Sequence, residues 1–191
     1  MSTTHSFKDA QRAQQSLLAP LEKQALVWMA QRLPAWINSD HLTGLGLLAM
    51  LGVGLSYWYA SQSRLGLVLA SAWLVINWFG DSLDGTVARA RNQLRPRYGF
   101  YVDHVCDAFG TFFMLGGLAL SGYMSPPVAA ALLIAYLMLN IEVYLATYTL
   151  GAFQLSFWKF SPTALRLLLT VGNTAPALPP MNRIFGSPLL V

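Results

Sequence analysis

The sequence predicts an all-α, polytopic membrane helix bundle with an N-terminal interfacial amphipathic helix. Of its 191 residues, 55% are hydrophobic and only 10% are charged, whereas a soluble domain usually carries about 25% charged residues. The apolar residues also fall into runs of roughly the 20 residues that a helix needs to cross the hydrocarbon core. We predict spans at residues 41–60, 65–90, 99–122 and 127–150, and a weaker fifth span at about 163–178.

The chain begins with two segments that do not cross the membrane. Residues 1–16 are mostly polar, and we predict that they form a flexible tail. In residues 17–33, Leu18, Leu21 and Ala25 start an apolar stripe at helical spacing, with charged and amide side chains around it. Such a stripe is typical of a helix lying in the membrane interface. It also fits an ordinary helix packed on a soluble core. Pro34 ends the helix, and residues 34–191 form the transmembrane domain.

Charge predicts the orientation of the bundle. Arg89, Arg91, Arg95 and Arg97 lie between the second and third spans, and positively charged loops stay in the cytoplasm. The hairpin at 121–127 has no charge and fits the outer side. The arginines border apolar spans instead of covering a soluble face, so we expect no nucleic-acid partner. We therefore predict an integral, multi-pass membrane protein, located in the inner membrane if the source is bacterial.

Two helical faces around this arginine-rich turn carry most of the chemistry. Residues spaced by three or four positions share one side of a helix. The first face has Asp81, Asp84, Gly85, Ala88 and Arg89, and the second has Gly99, Asp103 and Asp107. A turn at residues 91–98 makes the two helices neighbours and points four carboxylates at one another.

Four carboxylates near a membrane need a counter-charge, since charges there are costly unless they are paired or hydrated. All-oxygen ligands favour a hard divalent cation such as Mg²⁺, Mn²⁺ or Ca²⁺, and two such ions suit phosphoryl transfer. The small residues would let a ligand approach the backbone, and Arg89 could bind phosphate. Arg91, Arg95 and Arg97 fit phosphate binding and membrane topology equally well.

The segment DSLDGTVAR, followed by GFYVDHVCD, resembles the signature of the CDP-alcohol phosphotransferase (CDP-alcohol phosphatidyltransferase) family. The resemblance implies a transferase of phospholipid biosynthesis that passes a substituted phosphate from a CDP-linked donor to an alcohol acceptor and releases CMP. It implies Mg²⁺ or Mn²⁺, with two ions expected. It also implies membrane lipid as a partner and a homodimer. The arginines at 89–97 predict that the active site faces the cytoplasm.

The resemblance assigns roles residue by residue. The expected metal ligands are Asp81, Asp84, Asp103 and Asp107. Asp107 would also be the base that accepts the proton of the acceptor hydroxyl. The CDP site would be lined by Gly85, Ala88, Arg89 and Gly99. The family has six transmembrane helices, so we expect that this chain, which shows five and ends in MNRIFGSPLLV, is truncated at its C-terminus. The alternative is a genuine five-span protein.

His104 and the donor remain open at this point. The stretch DHVCD resembles the choline and ethanolamine phosphotransferase branch of the family, where a histidine follows the third aspartate. His104 is therefore a second candidate for the base, since imidazole titrates near neutral pH. The alternative is a polar residue at the edge of a wet cavity. The donor would be CDP-diacylglycerol, or else a soluble CDP-alcohol with diacylglycerol as acceptor.

Three further charged residues are candidates for acceptor or phosphate binding. Glu142 lies inside the fourth span, where an ionisable group is a functional candidate by default. It would either face the active cavity with Asn140 or pair with an arginine for structure. Lys159 and Arg166 lie near the fifth span and serve either phosphate binding or topology. An ion or metal transporter and an inactive scaffold homologue are the rivals from other classes. Transport sites usually lie near the bilayer midplane, whereas these aspartates lie toward the cytoplasmic ends of two spans.

Overall fold

The computed structural model describes residues 19–150 and 170–173, and this part of the chain is all-helical, as predicted. Its helices are α1 (Ala19–Arg32), α2 (Ser39–Ala60), α3 (Leu65–Ala90), α4 (Pro96–Ser121) and α5 (Pro126–Leu150). Within these ranges, four helices are long and apolar enough to cross a membrane, namely α2, α3, α4 and residues 126–145 of α5. Residues 170–173 are helical. The rest of the predicted fifth span and the polar tail lie outside the described residues.

The turn between α3 and α4 is shorter than predicted. We expected a loop at 91–98, but α4 begins at Pro96 and already contains Arg97 and Gly99. Proline is favoured in the first turn of a helix because its missing N–H would have no partner there. Asn92 turns the chain with a left-handed φ of 54°. The early start adds a turn to α4 below the first aspartate of that helix.

The other helix ends follow local chemistry. Asn38 caps α2, because its side chain accepts from the backbone N–H of His41 while the His41 ring accepts from the backbone N–H of Asn38. This reciprocal pairing is a capping box. At the other end of the bundle, α4 stops at Gly122, whose φ of 78° is left-handed, as is common after a helix C-terminus.

The central helix is α2, which packs against α3 on one side and α4 on the other, while α5 packs on α4 and α1 on α3. The main core lies between α2, α3 and α4. Its buried residues are Val53, Tyr57, Ala60, Leu67, Ala70, Leu74, Leu115 and Leu118. A smaller core joins α1 to the site end of α2 and α3 through Ala30, Leu42, Leu83 and Val87.

Glycines set the closest helix contact. A Cβ on Gly117 of α4 would stand 2.1 Å from the carbonyl oxygen of Gly54 in α2, and a Cβ on Gly54 would stand 2.3 Å from the carbonyl oxygen of Phe113. Both positions therefore require glycine, and the two backbones touch. Such contacts are typical of membrane helices, where small residues allow close packing.

A buried polar chain ties the described residues 170–173 to the bundle. The Tyr57 hydroxyl donates to the amide oxygen of Asn173 at 3.0 Å, and the Asn173 amide nitrogen donates to the Ser71 hydroxyl at 3.2 Å. Tyr57 is only 1% exposed. Because a buried polar group without a partner is costly, these bonds select one position for the segment against α2 and α3.

Helix α1 buries one side and exposes the other. Ala30 is 3% exposed and packs toward α3, whereas Trp28 is 56% exposed, with the Arg32 guanidinium 3.9 Å from its ring centroid. An exposed tryptophan beside an arginine suits the membrane interface, where aromatic rings concentrate. The interfacial placement of α1 stays a prediction.

Candidate functional site

Three of the four predicted aspartates form one cluster. Asp81 of α3 and Asp103 and Asp107 of α4 each place a carboxylate oxygen so that all three oxygens lie within 4.8 Å of one another. Asp81 and Asp103 are half-buried and Asp107 is exposed. We call these residues the aspartate trio. Helical periodicity predicted that these two helices would face their aspartates toward each other, and the structure brings these three together.

The trio lies at one depth in the bundle. At 1.5 Å per residue, Asp81 lies about 14 Å before the end of α3, while Asp103 and Asp107 lie about 10 and 16 Å beyond the start of α4. The two helices run antiparallel through a turn of only residues 91–95, so these depths coincide. The short turn therefore fixes the register that assembles the trio.

Asp84 lies near the trio but has its own partners. Its Oδ2 accepts a hydrogen bond of 2.7 Å from the Thr43 hydroxyl of α2, and its Oδ1 accepts from the backbone N–H of Gly85. It is close enough to Asp81 and Asp103 to interact with their charges. Nothing local in the sequence connects Thr43 to Asp84, which lies 41 residues away.

The donor set fits a hard divalent cation. Two oxygens that bind the same Mg²⁺ at about 2.1 Å are separated by at most about 4.2 Å. Oxygens within 4.8 Å of one another therefore need only small side-chain rotations to share an ion. The set contains carboxylates alone, which suits Mg²⁺ or Mn²⁺ better than a soft-ligand metal.

The expected CDP-binding residues have different exposures. The Arg89 guanidinium lies over Gly85, 3.5 Å from where a Cβ on that glycine would stand, and it donates to the Thr86 hydroxyl at 3.3 Å. Arg89 and Gly99 are exposed, whereas Ala88 is buried at 8% exposure. Gly99 has open space around it, whereas the space over Gly85 is occupied by the Arg89 guanidinium. The CDP-binding roles of Gly85, Ala88, Arg89 and Gly99 stay predictions.

The arginines of the turn are not equivalent. The Arg91 guanidinium donates to the backbone carbonyls of Leu33, Pro34, Ala35 and Ile37, at the end of α1 and in the linker to α2. Arg91 therefore holds the α1–α2 linker. A cation at the last carbonyls of a helix also complements the helix dipole.

Arg95 has a different partner. It pairs with Asp40 of α2 at 2.5 Å, and its guanidinium lies 4.3 Å from the ring centroid of Tyr98. The hydrogen bond with Asp40 raises the pKa of Arg95. Both charged groups are about half exposed, at 52% and 43%, and pairs of this kind contribute little to stability. Arg97 is exposed on the first turn of α4.

His104 packs between two helices. Its Nδ1 lies 2.7 Å from the carbonyl oxygen of Phe100, so this nitrogen carries the proton and donates. The ring lies 4.1 Å from that of Phe100 and 4.9 Å, edge-on, from that of Tyr144 in α5. The side chain is 13% exposed. This packing gives the imidazole a structural role, and the proposal that it acts as a base stays a prediction.

Helix α5 carries a polar face of which the sequence analysis named only Asn140. Tyr136, Asn140 and Tyr144 recur at intervals of four residues and are half-buried. The Tyr136 hydroxyl hydrogen-bonds with the side chains of Asn140 and of Thr111 in α4. Both tyrosines interact with the charges of Asp107 and Asp103. Polar residues at helical spacing in an otherwise apolar span were the signal that could have predicted this face.

Of the three remaining candidates, Glu142 alone lies in the part of the chain that the structure describes. Glu142 is exposed on α5, and at 100° per residue it lies about 200° around the helix from Asn140. It is outside the trio found among the described residues. Lys159 and Arg166 lie outside the residues that the structure describes. The roles of all three stay predictions.

Comparison with known proteins agrees with the site. The sequence model of the CDP-alcohol phosphatidyltransferase family matches residues 36–185, which include every helix from α2 to α5. The chain therefore belongs to the CDP-alcohol phosphatidyltransferase family, as the signature predicted.

Individual relatives are distant. The chain is 29% identical over 126 residues to archaetidylinositol phosphate synthase of Pyrococcus horikoshii, a match that covers 65% of this chain and 64% of that protein. It is 29% identical over 119 residues to cholinephosphotransferase 1 of Homo sapiens, covering 56% of this chain and 27% of that protein. The matched region thus spans just under two thirds of the archaeal relative and about a quarter of the human one.

Proposed function

We propose that this protein is a membrane transferase of phospholipid biosynthesis. It moves a substituted phosphate from a CDP-linked donor to the hydroxyl of an alcohol and releases CMP. The aspartate trio carries this proposal, because the family signature and the facing of α3 and α4 converge on the same carboxylates. Carboxylates grouped in this way suit a phosphoryl-transfer site that works with divalent metal ions.

The proposed metal site uses Asp81, Asp103 and Asp107, with Asp84 completing the set. We propose two ions, Mg²⁺ or Mn²⁺. When bound, such ions neutralise charge on a pyrophosphate and on the leaving phosphate. The protein holds the four carboxylates on two rigid helices, and Thr43 orients Asp84 from a third. Charged ligands on packed helices lose little freedom when they bind, which favours a defined geometry.

The reaction needs one proton acceptor. The acceptor hydroxyl oxygen forms a bond to the donor phosphorus that carries the transferred group, and the bond from this phosphorus to the oxygen of CMP breaks. The hydroxyl proton passes to a carboxylate oxygen of Asp107. Asp107 is the exposed member of the trio, so it is the carboxylate best placed to meet a substrate. Arg89 would hold the CDP phosphates beside Gly85, through charge-assisted hydrogen bonds.

Two donors remain in consideration. We propose CDP-diacylglycerol as the donor. A soluble CDP-alcohol with diacylglycerol as acceptor is the second candidate, and two observations favour it. One is the histidine in DHVCD, and the other is the match to a protein named cholinephosphotransferase.

The function is tested with the purified chain in detergent. CMP release is measured from CDP-diacylglycerol with glycerol 3-phosphate, serine or inositol phosphate, and from CDP-choline with dioleoylglycerol. We expect release with one pair, dependent on Mg²⁺ or Mn²⁺ and lost with chelator. If no donor is cleaved, the transferase proposal fails, and an inactive scaffold or an ion transporter becomes the better explanation of the sequence. Uptake of a divalent ion into proteoliposomes would then favour the transporter.

The base is tested by comparing D107N with H104N. If Asp107 is the base, D107N lowers kcat by a factor of about 10² to 10⁴, the usual contribution of general base catalysis. H104N then keeps activity near that of the unchanged protein. The opposite pattern would assign the base to His104.

We also propose that the site faces the cytoplasm, because Arg89, Arg91, Arg95 and Arg97 lie on the same side of the bundle as the turn between α3 and α4. A cysteine introduced at Gln93 in intact cells should react only with reagents that cross the membrane. The homodimer is supported only by the family resemblance. Chemical cross-linking in native membranes should give a band at twice the monomer mass.

A further inference from the structure

The α5 face of Tyr136, Asn140 and Tyr144 lies against the part of α4 that carries Asp103 and Asp107. Tyr144 contacts the rings of Phe100 and His104, which fixes the level of one end of the face. At the other end, Tyr136 bonds with Thr111. The two helices run antiparallel, so higher residue numbers in α4 face lower residue numbers in α5.

This register places Asn140 at the level of Asp107. Asn140 lies four residues, or about 6 Å, from each tyrosine. The α4 position midway between the His104 and Thr111 contacts is close to residue 107. Both tyrosines interact with the charge of Asp107. Asn140 therefore belongs to the wall of the site that borders the exposed member of the trio.

The side chain of Asn140 has an unsatisfied donor. Its amide nitrogen is buried, and it has no hydrogen-bond partner among the residues that the structure describes. Buried polar atoms without a partner are uncommon and costly. The two adjacent side chains of α5 are apolar and exposed, with Leu139 at 46% and Ile141 at 57%, so neither offers the Asn140 nitrogen a hydrogen-bond acceptor.

We infer that Asn140 is a substrate-binding residue whose amide N–H groups donate to an oxygen of the alcohol acceptor. This inference rests on the proposed function. The acceptor hydroxyl must lie beside the base, Asp107, and Asn140 borders that carboxylate from α5. The CDP donor is expected instead along α3, beside Gly85 and Arg89. Tyr136 is a positioning residue, because its hydroxyl hydrogen-bonds with the Asn140 side chain.

The inference predicts a selective kinetic defect. N140L removes the donors while keeping a side chain of similar size, and N140D keeps an oxygen but loses the N–H groups. Both should raise the KM for the acceptor about tenfold or more, the effect of one hydrogen bond to substrate. In N140L, the KM for the CDP-linked donor and the affinity for Mn²⁺ should stay within about twofold, since neither depends on Asn140. N140D adds a negative charge near Asp107 and is therefore judged by the acceptor KM alone.

The experiment uses the full chain in detergent, with the donor and acceptor pairs named above and with Mn²⁺ binding followed by electron paramagnetic resonance. T149V is the matched control, because Thr149 is an exposed polar residue of the same helix whose hydroxyl donates to the Leu145 carbonyl. T149V should leave every constant unchanged. Y136F should raise the acceptor KM less than N140L does.

The outcomes separate the two proposals. An active unchanged protein whose acceptor KM is the same in N140L overturns the inference and leaves the function standing. The same holds if N140L raises the donor KM instead. If the unchanged protein releases no CMP with any pair, the proposed function fails, and the acceptor role of Asn140 fails with it.

Discussion

Thr43→Val should weaken metal binding at the candidate site without unfolding the protein. Thr43 belongs to α2, outside the family signature, and it donates a hydrogen bond of 2.7 Å to Asp84. Valine has nearly the same shape as threonine but cannot donate. The half-buried side chain would therefore keep its packing and lose only the bond that orients the carboxylate.

The expected size follows from the kind of bond. A hydrogen bond to a charged group contributes about 1.5–3 kcal/mol, and about 1.4 kcal/mol corresponds to a factor of ten in affinity. The affinity for the ion that uses Asp84 should therefore fall by a factor of about 10 to 100. The same range is typical when a residue that orients a metal ligand is replaced.

Mn²⁺ binding to the purified protein, measured by electron paramagnetic resonance or calorimetry, tests this expectation. T43S keeps the hydroxyl and should bind Mn²⁺ like the unchanged protein. Thermal unfolding of both variants in detergent checks that the fold is retained. If T43V binds Mn²⁺ with unchanged affinity and stoichiometry, Thr43 does not position Asp84 for metal. If the unchanged protein binds no Mn²⁺, the metal site itself is wrong.

Three further predictions concern the fold that positions the site. G117A should destabilise the bundle by about 1–3 kcal/mol or more, because its methyl group would overlap a backbone carbonyl of α2. G116A is the control and should not destabilise it, since Gly116 has open space around it. Equal melting temperatures of the two variants in thermal unfolding would contradict the close contact. R91A should release the α1–α2 linker and speed its hydrogen exchange, while R97A should not. Y57F should lower stability by about 1 kcal/mol through its lost buried bond, and an unchanged melting temperature would argue against the contact with residues 170–173.

The aspartates illustrate how much of the site was predictable. Their spacing along α3 and α4 is local information, and a helix turns it directly into a shared face. The structure brings Asp81, Asp103 and Asp107 within reach of one ion. Periodicity alone could not separate Asp84 from the other three, because the difference comes from Thr43 on another helix.

The arginines illustrate the opposite case. In the sequence, Arg91, Arg95 and Arg97 are a single cluster that suits either phosphate binding or membrane topology. In the structure, Arg91 is committed to the carbonyls at the end of α1, and Arg95 pairs with Asp40. Every residue has a backbone carbonyl, so the sequence does not indicate which carbonyls Arg91 will contact. Its role depends on the path that the α1–α2 linker takes in the folded protein.

The polar face of α5 lies between these cases. Its four-residue spacing is a local feature of the sequence. The charge of Glu142, however, made that residue the stronger candidate in the same span. The structure places Glu142 on an exposed part of the helix and Asn140 on the side toward α4. Helix rotation decides which polar residue meets the site, and rotation depends on packing against the neighbouring helix.

The sequence by itself determined the membrane class, the spans from residue 41 to residue 150 and the family signature, since composition and short-range periodicity express these features locally. The tertiary structure alone decided which helices touch, at what register, and hence that Thr43 donates to Asp84 and that Tyr136 bonds with Asn140 and Thr111. Register results from many weak contacts between residues far apart in the chain, such as the meeting of Gly54 with Gly117. No local pattern encodes that sum, so the partners of each site residue emerge only when the helices pack.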